Sequence, residues 1–77
     1  MLKKLTLPVA SVRVPAKRAK TLDAARVQAL AEAILTEGQK VPISVRADGE
    51  GYVLIEGLHR LQALKALGEA TVDAFLV

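Results

Sequence analysis

The 77-residue sequence contains no cysteine and no tryptophan, and it has one histidine, one tyrosine and one phenylalanine. The lack of cysteine excludes disulfide bonds, thiolate metal sites and cysteine nucleophiles. A zinc site built on several histidines is excluded too, because there is one imidazole. Since aromatic residues are few while 52% of the residues are hydrophobic, we expect a single domain with an aliphatic core.

The sequence also lacks a long hydrophobic run. The uncharged stretch at residues 5–12 contains Pro8 and stops at Arg13. It is too short to span a bilayer, and it has no convincing cleavage site for a signal peptidase. We therefore expect a cytoplasmic protein that does not associate with membranes.

Basic residues are concentrated near the N-terminus, and no acidic residue precedes Asp23. From Asp23 onward, five basic residues stand against eight acidic ones. A basic end suits a polyanion such as nucleic acid or a nucleotide phosphate, although an ordinary solvated terminus has the same composition. The basic residues before Asp23 are Lys3, Lys4, Arg13, Lys17, Arg18 and Lys20.

The pattern of apolar residues predicts an α/β domain with the element order β(β)-α-β-β-α-β, in which two helices pack on a mixed sheet. One or two short strands precede a basic loop at 15–20. The first helix starts at Thr21 or Asp23, buries a stripe of apolar residues and stops at Gly38. Asp48-Gly49 predicts a hairpin between strands at 43–46 and 52–55. A second helix at 58–67 and a strand at 70–77, with Val72, Ala74 and Leu76 on one face, complete the chain.

The stretch Gly57-Leu58-His59-Arg60 is the main candidate site, because it joins a predicted strand to a predicted helix. A glycine there permits a sharp turn and leaves room for an anion. The backbone amides of Leu58, His59 and Arg60 would be first-turn donors at the positive end of the helix dipole, a geometry that binds phosphate. His59 and Arg60 would add side-chain donors, at the cost of two cations opposing the dipole. The alternative is structural: a turn glycine, a capping or packed His59 and a surface Arg60.

Other polar residues are weaker candidates. Glu56 adjoins the box and could pair with Arg60, hold Mg²⁺ beside a bound phosphate or act as a general base. Further phosphate or nucleic-acid contacts could come from the loops before and after the first helix, where solvated charges are the alternative. These loop candidates are Lys17, Arg18, Lys20, Gln39 and Lys40.

The ordered segments "LAEAILTEG", "VPISVR" and "YVLIEGLHRLQALKALG", with an expected edge strand at the end, resemble the N-terminal domain of ParB-type partition proteins. That domain belongs to the ParB/sulfiredoxin superfamily and is also described as a ParB-like nuclease domain. The resemblance covers about residues 5–77. It implies that the box at Gly57, His59 and Arg60 binds the phosphates of a nucleotide, CTP as in ParB or ATP as in sulfiredoxin. Leu58 stands where sulfiredoxin has its catalytic cysteine, so sulfinic-acid reduction is excluded.

The resemblance further implies a bacterial protein associated with DNA binding, plasmid or chromosome partition, or regulation. The helix-turn-helix and dimerisation domains of full-length ParB are not expected within these 77 residues. Two alternatives stay open. One is an enzyme of the same superfamily, a nucleotide hydrolase, small-molecule kinase or nuclease, with Glu56 as its catalytic residue. The other is a ligand-free interaction module that forms a homodimer.

Overall fold

The strands of the chain assemble into one five-stranded mixed sheet. The computed structural model describes residues 3–39 and 41–77, so the candidate Lys40 lies outside the described residues. The spatial order of the strands is β1-β5-β3-β4-β2. Their bounds are Lys3–Pro8 for β1, Val12–Arg13 for β2, Ile43–Asp48 for β3, Gly51–Glu56 for β4 and Thr71–Leu76 for β5.

The position of β5 corrects the expectation of an edge strand at the end of the chain. β5 lies between β1, to which it is antiparallel, and β3, to which it is parallel. Strand β1 pairs with β5 along its whole length, from Lys3 opposite Leu76 to Pro8 opposite Thr71. The edge position on this side of the sheet is therefore occupied by β1. The predicted alternation within β5 is confirmed, since Val72 and Ala74 are buried and Thr71 is exposed.

Three α-helices occupy the described residues: α1 at Ala16–Ala19, α2 at Ala24–Glu37 and α3 at Leu58–Ala66. The prediction of a plain loop before α2 was therefore wrong. Pro15 has a φ of −58°, and its carbonyl accepts from the amides of Arg18 at 2.9 Å and Ala19 at 3.1 Å. Proline pre-sets helical φ, and alanine, lysine and arginine are good helix formers, so one turn forms.

The packing of α2 also differs from the expectation that both helices lie on the sheet. Leucines of α3 cover the sheet, and α2 packs on α3 from outside. No residue of α2 is fully buried; the predicted stripe is half-buried, and Leu35 is 76% exposed. The hydrophobic stripe of α2 therefore lies mainly against α3, and Ile34 also packs against the edge of the central core. The stripe comprises Val27, Leu30, Ala31 and Ile34.

One aliphatic core holds these elements together, as the composition predicts. It joins the inner face of the sheet to one side of α3, and its most completely buried large side chains are Ile43, Leu54, Leu61, Val45 and Val72. The predicted hairpin is confirmed: Asp48 pairs with Gly51, and Gly49 has a φ of +61°. Among the described residues, no helix has the length and hydrophobicity needed to cross a membrane.

Candidate functional site

A cleft of about 340 Å³ lies at the N-terminal ends of α2 and α3, beside α1. It brings together the strand-to-helix box and residues from distant parts of the sequence. One part of its lining is basic and another part, formed by Leu30, Val41 and Pro42, is apolar. The polar and glycine residues that line it are Arg18, Thr21, Arg26, Glu56, Gly57, His59 and Arg60, with Leu58 between them.

The start of α3 is open to a ligand in a way that the start of α2 is not. Gly57 is the N-cap of α3 and supplies no side-chain cap, and the amide of Leu61 donates to the Gly57 carbonyl at 2.9 Å. The amides of residues 58–60 precede this first hydrogen bond of the helix, so they have no acceptor within it. In α2, by contrast, the side chain of Asp23 accepts from the amides of Ala25 and Arg26. The predicted first-turn donors are thus available at α3.

Gly57 has one role that the sequence predicted and a second role that it did not. Its φ of +106° lies in the region that favours glycine, so the sharp turn is confirmed. A Cβ atom at Gly57, however, would lie 2.6 Å from Ile43 Cγ2 and 2.9 Å from Ile43 Cβ. The missing side chain therefore makes room for the first residue of β3.

Leu58 contributes to the cleft through its backbone. Its side chain belongs to the hydrophobic core and is 4% exposed. A buried aliphatic side chain offers no polar atom to a ligand, so the amide is the group that Leu58 can present. The residue at the cysteine position of sulfiredoxin is therefore part of the core here.

His59 is a hydrogen-bond acceptor, whereas the sequence predicted a donor. Its Nε2 atom accepts from the backbone amide of Asp23 at 3.1 Å. A backbone amide can only donate, so Nε2 is the acceptor in this contact. The structural alternative for His59, a capping residue, describes its contact better than a side-chain donor to phosphate does.

Three arginines give the cleft its charge. Arg18, Arg26 and Arg60 all line it, and they come from α1, α2 and α3. Within residues 3–39 and 41–77, the guanidinium groups of Arg26 and Arg60 are in no ion pair. Arg26 and Thr21 were not predicted as site residues from the sequence. The position of Arg26 in the first turn after Asp23 was visible, but only the packing of α2 on α3 places that turn at the cleft.

Glu56 pairs with Arg18 and not with Arg60 as one alternative proposed. Its Oε2 atom lies 3.6 Å from Arg18 Nη2, and its side chain is 75% exposed. Glu56 is the one carboxylate that lines the cleft. The described residues contain no group of three or more histidine or acidic side chains that could hold a metal ion. A Mg²⁺ ion here would depend on ligand oxygens, with Glu56 as the one protein carboxylate in reach.

The structure does not bring the remaining loop candidates into the cleft. Lys17 and Lys20 are exposed and do not line it. The Gln39 side chain is engaged elsewhere: it donates to the carbonyls of Val41 at 3.1 Å and Asp73 at 3.0 Å, and it accepts from the Asp73 amide at 2.9 Å. Gln39 therefore joins the segment after α2 to β5.

The fold defines the class of protein first. The structure is similar to that of sulfiredoxin from Arabidopsis thaliana, with a TM-score of 0.86, 29% sequence identity, and coverage of 97% of this chain and 84% of that one. It is also similar to that of the C-terminally truncated chromosome-partitioning protein ParB from Caulobacter crescentus, which was solved in complex with CTP-gamma-S. The TM-score is 0.84 at 22% sequence identity, and the match covers 97% of this chain and 44% of that one. The domain therefore has the ParB/sulfiredoxin fold that the sequence predicts.

The family follows from the sequence comparison. The model of the ParB N-terminal domain matches residues 3–77, and the chain belongs to that family. The chromosome-partitioning protein ParB of Myxococcus xanthus is 36% identical over 73 residues, which are 94% of this chain. The matched region is 25% of that relative, so the chain spans a quarter of its length.

Proposed function

We propose that this domain binds the phosphates of a nucleotide, CTP or ATP, in the cleft at the start of α3. The observation that carries the proposal is the placement of Arg18, Arg26 and Arg60 around an uncapped helix N-terminus. Backbone amides at such an N-terminus donate to phosphate oxygens, and guanidinium groups bind phosphate in bidentate fashion. Three guanidinium groups against one carboxylate favour a ligand with several negative charges, such as a di- or triphosphate.

The apolar part of the lining supports a nucleotide over a simple anion. Leu30, Val41 and Pro42 share the cleft with the arginines, and Val41 is 49% exposed. Ligand sites commonly pair an apolar wall with a few convergent polar groups. In this arrangement the nucleoside packs on the apolar wall while its phosphates contact α3. Where Mg²⁺ takes part, it binds together with the nucleotide and neutralises part of the charge of the phosphates.

The biological setting we propose is DNA partition or regulation. The family and the Myxococcus xanthus relative support it, and the proposal for the chain is limited to the part of that relative it matches. DNA phosphate is the second polyanion predicted from the sequence, and the exposed Lys17 and Lys20 next to the cleft suit it better than the cleft itself does. Homodimer formation and cytoplasmic localisation remain predictions.

Isothermal titration calorimetry with CTP, ATP and GTP in the presence of Mg²⁺ tests the site. We expect Arg60→Ala to lower the affinity for the preferred nucleotide about 10- to 100-fold, because a charge-assisted hydrogen bond contributes about 1.5–3 kcal/mol. Arg46→Ala is the matched control, since Arg46 is an exposed arginine of β3 outside the cleft. No binding of any nucleotide, or equal losses in the two variants, would overturn the assignment.

A further inference from the structure

The hydrogen bond between His59 and Asp23 connects the N-terminal ends of two helices. Asp23 is the N-cap of α2, and its amide donates to His59 Nε2, in the first turn of α3, at 3.1 Å. The sequence separation of 36 residues makes this a tertiary contact. It lies at the edge of the cleft, where His59 and Arg26 are both lining residues.

Helix α2 lacks the local residue that usually accepts from an N-cap amide. In a capping box, the side chain at N3 is glutamate or glutamine, and it accepts from the backbone amide of the N-cap. With Asp23 as N-cap, N3 is Arg26. Arginine has donors and no acceptor, so it cannot complete the box. His59 supplies the missing acceptor from the neighbouring helix.

Because His59 accepts from the Asp23 amide, position N3 of α2 does not need an acceptor side chain and can carry a cation. A capping box would place a glutamate or glutamine where Arg26 now lines the cleft. We propose that His59 is a positioning residue for phosphate binding. In its neutral form it caps α2 from α3, and so allows N3 to carry a phosphate-binding arginine held beside Arg60. The ligand part of this proposal rests on the proposed function; the capping part does not.

The tautomer of His59 tests the capping part without any ligand. Because the chain has one histidine, long-range ¹H–¹⁵N correlations of its imidazole are unambiguous. We expect the proton on Nδ1, and we expect hydrogen exchange of the Asp23 amide to be slowed in wild type and fast in His59→Leu. A ring protonated on Nε2, or an Asp23 amide whose exchange does not change in the variant, would overturn the cap.

A double-mutant cycle tests the link between residues 59 and 26. Loss of one hydrogen bond of about 1 kcal/mol lowers the Tm of a domain this size by about 4–8 °C, which is the change expected for His59→Leu. In the Arg26→Gln background, glutamine completes a local capping box and the same substitution lowers the Tm by less than half as much. Gln62→Leu, on the same helix, is the control and has the same effect in both backgrounds. Equal losses for His59→Leu in both backgrounds would contradict the proposal.

Nucleotide affinity tests the ligand part. His59→Gln keeps an acceptor near the position of Nε2, so we expect affinity within about threefold of wild type, whereas His59→Leu weakens it about tenfold. The titrations use whichever of CTP, ATP and GTP wild type binds most tightly. Equal weakening by the two substitutions would assign His59 to direct ligand contact instead. If wild type binds none of them, the proposed function fails. The tautomer measurement and the double-mutant cycle still test whether His59 caps α2.

Discussion

Gly57 and Ile43 are packed so closely that no side chain fits between them: a Cβ atom on Gly57 would lie 2.6 Å from Ile43 Cγ2. Ile43 is the first residue of β3 and is 1% exposed, so it cannot move aside without disturbing the core. This contact presses the start of α3 against the sheet. It fixes where the first-turn amides point and therefore where a phosphate would bind under the proposed function.

The close packing at Gly57 predicts a stability loss that exceeds the usual effect of replacing a left-handed glycine. Gly57→Ala combines backbone strain of about 1–3 kcal/mol with an overpacking cost of about 1–3 kcal/mol. Gly68→Ala is the control, because Gly68 has a φ of +74° and nothing within 4 Å of its absent Cβ. Urea denaturation should show the larger loss for Gly57→Ala. Equal losses would mean that the contact with Ile43 is not a constraint.

The reassignment of Gln39 predicts a loss of stability without a loss of binding. Gln39→Leu removes three hydrogen bonds to Val41 and Asp73, with an expected cost of about 1–3 kcal/mol in the free energy of unfolding. Nucleotide affinity, measured where the variant is folded, should stay within about twofold of wild type. Gln28→Leu, at an exposed position of α2, controls for the added hydrophobicity. A Gln39 variant with wild-type stability and weakened binding would show that Gln39 contributes to nucleotide binding.

The ion pair between Glu56 and Arg18 predicts that removing the carboxylate strengthens phosphate binding. Exposed pairs contribute about 0–1 kcal/mol to stability, so Glu56→Gln should unfold almost as wild type does. Its affinity for a nucleoside triphosphate should rise about 3- to 10-fold, because the like-charged neighbour of the phosphates is gone and Arg18 is released. Glu69→Gln makes the same change of charge outside the cleft and should have little effect.

The same pair of variants separates binding from catalysis. If wild type hydrolyses a labelled nucleotide and Glu56→Gln abolishes that turnover while Glu69→Gln does not, Glu56 is a catalytic residue. That outcome would replace the binding module with an enzyme. Tighter binding with no turnover in any of the three proteins supports the binding module.

Much of the fold could be predicted because local patterns and tertiary packing agree in most elements. The hairpin at Asp48-Gly49, the stop at Gly38 and the alternation in β5 each follow from residues adjacent in sequence. The place of β5 within the sheet could not be predicted in the same way, because it depends on pairing with the N-terminal strand about 70 residues away. The shallow burial of α2 was missed for a similar reason: its hydrophobic stripe does not reveal whether a sheet or a helix covers it.

In the candidate site, too, features set by adjacent residues could be predicted, and features set by tertiary packing could not. The box at residues 57–60 was found because a glycine between a strand and a helix has a local signature, and Arg18 was included with the basic loop. Arg26 was missed because only the docking of α2 on α3 brings it to the cleft. The partners of Gly57 and His59, which are Ile43 and Asp23, could not be predicted because they are distant in sequence.

A crystal structure of the domain with the nucleotide that it binds most tightly would show whether the start of α3 is the phosphate site. We expect phosphate oxygens within about 3.2 Å of backbone amide nitrogens at residues 58–60, with the guanidinium groups of Arg26 and Arg60 in contact. Phosphates bound at Lys17 and Lys20, with no ligand at the start of α3, would contradict this expectation.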